Sequence, residues 1–201
     1  TRGDEVWNSS QVWYLEFDNF NAPITNDIME WPWREAYYTI NVCNFILSRT
    51  GNDDANLSEA MKRIKGQALF LRAFSYYNLA GYYQDVPLIT DYDTYSTLDG
   101  LYGKNNSYDE VLDQVEADFK EAMTLLPSRD EGGEWAKGRA TCGSAAGYYA
   151  RALMQRHKYD EALAVLKDII GKKYGKYDLV ANYGDNFREG SASENNIESL
   201  F

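Results

Sequence analysis

Through most of the middle of the chain, apolar residues recur at three- and four-residue intervals, the period of an amphipathic helix. Trp33, Ala36, Tyr37, Ile40, Cys43, Asn44 and Leu47 form the first such stripe and predict a helix over 33–49 that ends near Gly51. Pro32 stands just ahead of it, where a first turn accepts a residue without an N–H. The second stripe is Met61, Ile64, Ala68, Leu71, Phe74, Ser75, Asn78, Leu79 and Tyr82, opened by Ser58 as the cap. Pro87 stops it near Asp85, because the residue before a proline avoids the α region.

Ser107-Tyr108-Asp109-Glu110 reads as a capping box, in which each end satisfies a backbone donor of the other. It opens a helix with Tyr108, Val111, Val115, Phe119, Ala122 and Leu126 on one side, stopped by Pro127. Thr141 starts a helix rich in Ala and Gly that runs to about Arg156, and only His157 and Lys158 separate it from another over 159–171. Residues 84–107 and 128–138 are polar loops. Residues 1–32 show no helical period and predict an aromatic loop with a short helix, and 172–201 an irregular tail with a short strand at 197–201. The expected fold class is all-α: a single domain over 1–201 whose helices, between 33 and 171, pair antiparallel in the manner of tetratricopeptide (TPR) repeats.

The TPR pattern rests on Ala150, Leu153, Tyr159, Ala162, Leu166 and Ile169. Small residues let two helices approach, and large ones fill the space against the next pair. Ala73 and Tyr76, with Tyr108, Val111 and Val115, repeat it, the loop 84–107 replacing the usual tight turn.

Composition narrows the function. Aromatic residues make up 15% of the chain, with 17 Tyr and 5 Trp, a surplus suited to stacking on flat ligand faces. The net charge of −11 argues against a nucleic-acid partner and against adsorption to an anionic membrane, both of which need clustered Lys and Arg. His157 is the single histidine, so a His-rich metal site is excluded, and no cofactor motif occurs. Asp91-Tyr92-Asp93-Thr94-Tyr95 begins like a calcium loop but lacks the Gly and terminal Glu that an EF-hand needs. Cys43 and Cys142 are far apart and read as two small buried hydrophobes, a long-range disulfide being the alternative.

One run is more specific. Gly66-Gln67-Ala68-Leu69-Phe70-Leu71-Arg72-Ala73-Phe74-Ser75-Tyr76-Tyr77-Asn78-Leu79, then Tyr82-Tyr83-Gln84-Asp85-Val86-Pro87-Leu88, resembles the hallmark helix and following turn of SusD/RagB nutrient-binding lipoproteins. Gln84 stands where the family more often has Gly. Trp33 to Asn44, Tyr108 to Pro127, Gly138 to Thr141, Tyr159 to Ala162 and Asn196 to Phe201 match further family patterns in order. The resemblance implies a TPR scaffold that captures a glycan or other nutrient outside the cell and caps a SusC-like TonB-dependent outer-membrane transporter. It also implies that this chain is an internal segment. The signal peptide, the lipid anchor that alone would bring it to the membrane, and the C-terminal half of the family would lie outside it.

Sugars need aromatic faces for their apolar sides and polar groups for their hydroxyls. Arg2, Asp4, Trp7, Trp13, Tyr14, Asn19, Phe20 and Asn21 supply both and form the first candidate site; Tyr92 and Tyr95, with Tyr102, in the loop 84–107 form the second. Trp7 and Trp13 could instead anchor the segment to the helices. Arg72 and Asp85 read as structural, Arg72 pairing or capping and Asp85 ordering the turn before Pro87. No pair of carboxylates is singled out as a glycosidase would require, so a non-catalytic binder is expected. The competing class is a TPR adaptor that binds only proteins.

Overall fold

The computed structural model describes residues 12–23, 25–51, 54–136, 138–188 and 195–201. It is all-α. In order the helices are α1 (Val12–Asp18), α2 (Asp27–Thr50), α3 (Glu59–Tyr83), the single turn α4 (Leu98–Leu101), α5 (Tyr108–Leu125), α6 (Cys142–Gln155) and α7 (Tyr159–Ile170). Successive long helices pack on one another, α2 on α3, α3 on α5, α5 on α6 and α6 on α7, so each hairpin buries its face against the next. Among the described residues, no helix is long and apolar enough to cross a membrane.

Local chemistry fixes the boundaries. Ser58 accepts the Met61 N–H ahead of α3, and Ser107 and Glu110 close the capping box of α5 from both sides. Thr141 and Ser144 close a second box at the start of α6. Gly66 lies where α3 meets the end of α5: a Cβ there would come 2.9 Å from Leu126 Cγ, closer than two carbons pack. The core that results joins Ile40 of α2, Phe70, Ala73 and Tyr76 of α3, Val111, Val115 and Phe119 of α5, and Ala145 of α6.

Three expectations need correction. Helix α2 begins at Asp27, not 33, so Pro32 lies inside it. Asn26 caps that start, and Asp27 and Glu30 add acidic residues to the positive helix end. In α3 the buried positions only partly follow the stripe read from sequence: Ala68, Ser75 and Leu79 are buried as expected, but Ile64, Leu71 and Tyr82 are exposed, while Leu69, Phe70, Arg72 and Tyr76 are buried. Lying between α2 and α5, this helix is covered on two sides, so a single three–four stripe cannot describe it. Tyr159 of α7, counted in the TPR pattern, is likewise exposed.

The third correction concerns 197–201, which forms turns rather than a strand. Its carbonyls go to side chains and to one backbone group, Asp178 N donating to Ile197 O at 3.2 Å. Arg129 Nη1 donates to Asn196 O and Ser199 O, both at 3.0 Å, and Ser144 Oγ donates to Leu200 O at 2.5 Å. Phe201 then closes on Phe70 of α3, with ring centroids 4.9 Å apart.

The long loop is ordered by its ends. Tyr76 Oη accepts from Ile89 N at 2.8 Å, Asn44 Nδ2 donates to Ile89 O at 2.8 Å and Tyr37 Oη donates to Pro87 O at 2.7 Å. These bonds lay 86–90 across the α2–α3 seam. Asp85 accepts from Tyr108 N at 2.8 Å and so ties the loop's two ends together, rather than serving the turn before Pro87. Both cysteines are free and buried.

Candidate ligand-binding site

Helix α1 is joined to α2 by one side chain. The Asn26 amide accepts from Ile28 N at 2.8 Å as the cap of α2, and donates to Trp13 O at 3.1 Å and Glu16 Oε2 at 2.7 Å in α1. The start of α2 is braced in turn by α3: Tyr83 Oη donates to Met29 O, and Trp33 meets Tyr83 edge-on with centroids 5.1 Å apart.

This joint opens a cleft of about 280 Å³ lined by Trp13, Tyr14, Asp27, Ile28, Trp31, Pro32 and Glu35. The α2 residues recur at three- and four-residue steps and so share one face. Trp13 is 38% exposed, Tyr14 37% and Trp31 52%, so each keeps part of its ring toward solvent. The polar groups around the rings are mostly acceptors. Asp27 and Glu35 are exposed carboxylates, and Pro32, having no N–H, cannot give the Ile28 carbonyl its α-helical hydrogen bond. Aromatic faces beside oxygen acceptors suit a ligand with an apolar side and hydroxyl donors.

A second cavity, of about 540 Å³, lies toward the other end of α2. At its wall, Arg72 Nε and Nη2 donate to the two oxygens of Asp118 at 2.7 and 2.8 Å, and Arg72 Nη1 donates to Asn44 Oδ1 at 2.9 Å. Lys65 sits between Asp54 and Glu121, 2.8 Å from each. Burial pulls the Lys65 ammonium down, yet these two carboxylates hold it above its ordinary range. Burial pushes the Asp118 carboxyl up against the pull of Arg72 and Gln114. Each of the two cations is therefore matched by carboxylates of this chain. Tyr92 lines this cavity, but its ring packs on Phe45 with centroids 5.2 Å apart.

The residues singled out from sequence therefore separate. Arg2, Asp4 and Trp7 lie outside the described residues, as does the Tyr95 side chain. Trp13 and Tyr14 come together at the cleft. Asn19, Phe20 and Asn21 form the exposed turn that ends α1, outside the cleft lining, with Phe20 held at φ 54°. Tyr92 packs on Phe45, 14 residues along α2 from Trp31 of the cleft, roughly 21 Å at 1.5 Å per residue. Tyr102 is exposed near α4. Trp31 was missed as a site residue because its helix was not expected to begin so early; the Asn26-Asp27 cap with Glu30 is the signal that could have placed it.

Stacked antiparallel helix pairs with an aromatic cleft at one end define a TPR-like scaffold with an open surface cleft. A family model described as "Starch-binding associating with outer membrane" matches residues 2–154, and the chain belongs to this SusD-like family. A SusD-like protein of Formosa agariphila, P2, is 28% identical over 168 residues, which are 82% of this chain and 31% of that protein. The solved structure of a laminarin-binding SusD-like protein is 27% identical with a TM-score of 0.72, over 89% of this chain and 38% of that one. A SusD superfamily structure from Bacteroides vulgatus shares the fold at a TM-score of 0.82 and 24% identity, over 97% of this chain and 40% of that one. The chain thus spans less than half the length of these relatives.

Proposed function

We propose that this chain is part of a non-catalytic surface protein that captures glycans outside the cell and delivers them to a SusC-like TonB-dependent transporter. It would be held at the outer membrane by a lipid anchor. The observation that carries the reading is the Trp13–Tyr14–Trp31 cleft, an aromatic platform with acceptors set beside it. Family membership and the laminarin-binding relative favour a glycan as its occupant.

The cleft carboxylates also support binding without hydrolysis. Asp27 and Glu35 lie on one face of one helix, about 12 Å apart along its axis. Glycosidases set their two carboxyls on opposite sides of the scissile bond, at most roughly 9.5 Å apart.

Calorimetric titration with laminarihexaose, maltoheptaose and a wider panel of oligosaccharides tests the reading. Trp13→Ala and Trp31→Ala, each folded as judged by circular dichroism, should bind the best ligand about tenfold more weakly or worse, the scale of a lost aromatic platform. Unchanged affinity in both variants would sink the assignment of the cleft. A protein that bound none of the panel but captured a peptide would favour the adaptor class, for which the apolar groove lined by Ile170, Leu179 and Tyr183 is the structural argument.

A further inference from the structure

We infer that the cleft selects by charge, accepting neutral or amino-bearing glycans and rejecting those that carry carboxylate or sulfate groups. The inference rests on the glycan-binding reading and adds the chemical class of the ligand. Its basis is that the described lining holds two carboxylates and no Lys or Arg. The nearest cation along α2 is Arg34, whose Nη1 lies 3.5 Å from Glu30 and whose Nε lies 3.8 Å from Glu35, so it is shared between two further acids. Glu16 of α1 is held close by through Asn26. Every charged group placed around the rings is therefore negative, or is a cation already matched by acids.

Hydrogen bonding points the same way. The Asp27 and Glu35 carboxylates and the Ile28 carbonyl accept from hydroxyl or ammonium donors, which ionised carboxylate or sulfate lacks, while the donors in the lining, the Trp13 and Trp31 indoles and the Tyr14 hydroxyl, carry no charge to offset an anion. An anionic group here would meet like charge with no counter-ion from the protein, a cost that salt screens only in part at an exposed site. The overall charge of −11 adds a long-range repulsion of the same sign.

The test uses matched hexasaccharides that share a backbone and differ in charge: oligogalacturonate against its methyl ester, and chitohexaose against its deacetylated, ammonium-bearing form. They are added to the neutral panel above and titrated at low and high salt. The expected result is that every ligand bound is neutral or cationic. Acidic partners should bind roughly tenfold or more weakly, and the gap between acidic and neutral partners should narrow in salt and in Asp27→Asn/Glu35→Gln. An acidic glycan bound through Trp13 and Trp31 as tightly as its neutral partner overturns the charge inference and leaves the glycan reading standing. Absence of binding across the whole panel removes that reading, and the inference with it.

Discussion

Gly143 occupies a place in α6 where helix propensity and packing disagree. Alanine is worth about 1 kcal/mol more than glycine in a helix interior, but a Cβ here would lie 2.2 Å from Tyr177 Oη and 2.5 Å from its ring. Overpacking of this kind costs about 1–3 kcal/mol. Gly143→Ala is therefore expected to lower unfolding stability by about 1–2 kcal/mol in urea titration, and a gain would show that Tyr177 moves freely. Cys43 makes a second residue-level test. Burial pushes its thiol up to about 11, against the pull of Arg72, so at pH 8 the group is both inaccessible and protonated. Ellman's reagent should leave the native protein unmodified at Cys43 and label it once urea unfolds the chain; rapid native labelling would contradict the burial. At this scale the sequence was partly legible. Arg72 was readable as a pairing residue, but Asp118 is 46 positions away, and 31 acids offered no means of choosing it.

At the scale of elements, the joint between α1 and α2 matters most for the proposed site. Asn26 both caps α2 and carries the two hydrogen bonds that place Trp13 and Glu16. Asn26→Ala should cost about 1 kcal/mol as a lost cap, and should also weaken glycan binding because Trp13 is no longer held at the cleft. Asn26→Asp, which keeps the cap but cannot donate, should spare stability and still weaken binding. Equal affinity in both variants would show that α1 is placed by other contacts. Helices α3, α5 and α6 were legible to within a residue or two because their caps are local signals, Ser58, Ser107 with Glu110, and Thr141, whereas the single turn α4 lies inside the stretch read as a loop. Helix α2 was misplaced because its apolar stripe starts at Trp33, whereas its first turn is built of Asp27 to Glu30 and faces the cleft. The same early turn supplies Trp31, so the error in the element and the omission in the site had one cause.

For the whole molecule, the segment 195–201 sets how the helix stack is closed. It crosses back over the 129–131 turn and α6, held by Arg129 and Ser144, and sets Phe201 beside Phe70, Phe74 and Tyr148. Arg129→Ala should release it, seen as faster amide hydrogen exchange over 195–201 with α2 and α5 unchanged; equal protection would mean that the rings, Ser144 and the Asp178–Ile197 bond suffice to retain the segment. No period in the sequence announces this path, since its bonds run from side chains to backbone across up to 70 residues. The order of synthesis follows from that separation. Helices α2 to α7 each meet a partner made just before or just after, so they can pair as they leave the ribosome. The ring cluster of Phe70 and Tyr148 must wait for residue 201. Between the emergence of Tyr148 and that of Phe201 a nascent chain therefore carries an open aromatic seam, and this seam is where a holdase would find its target.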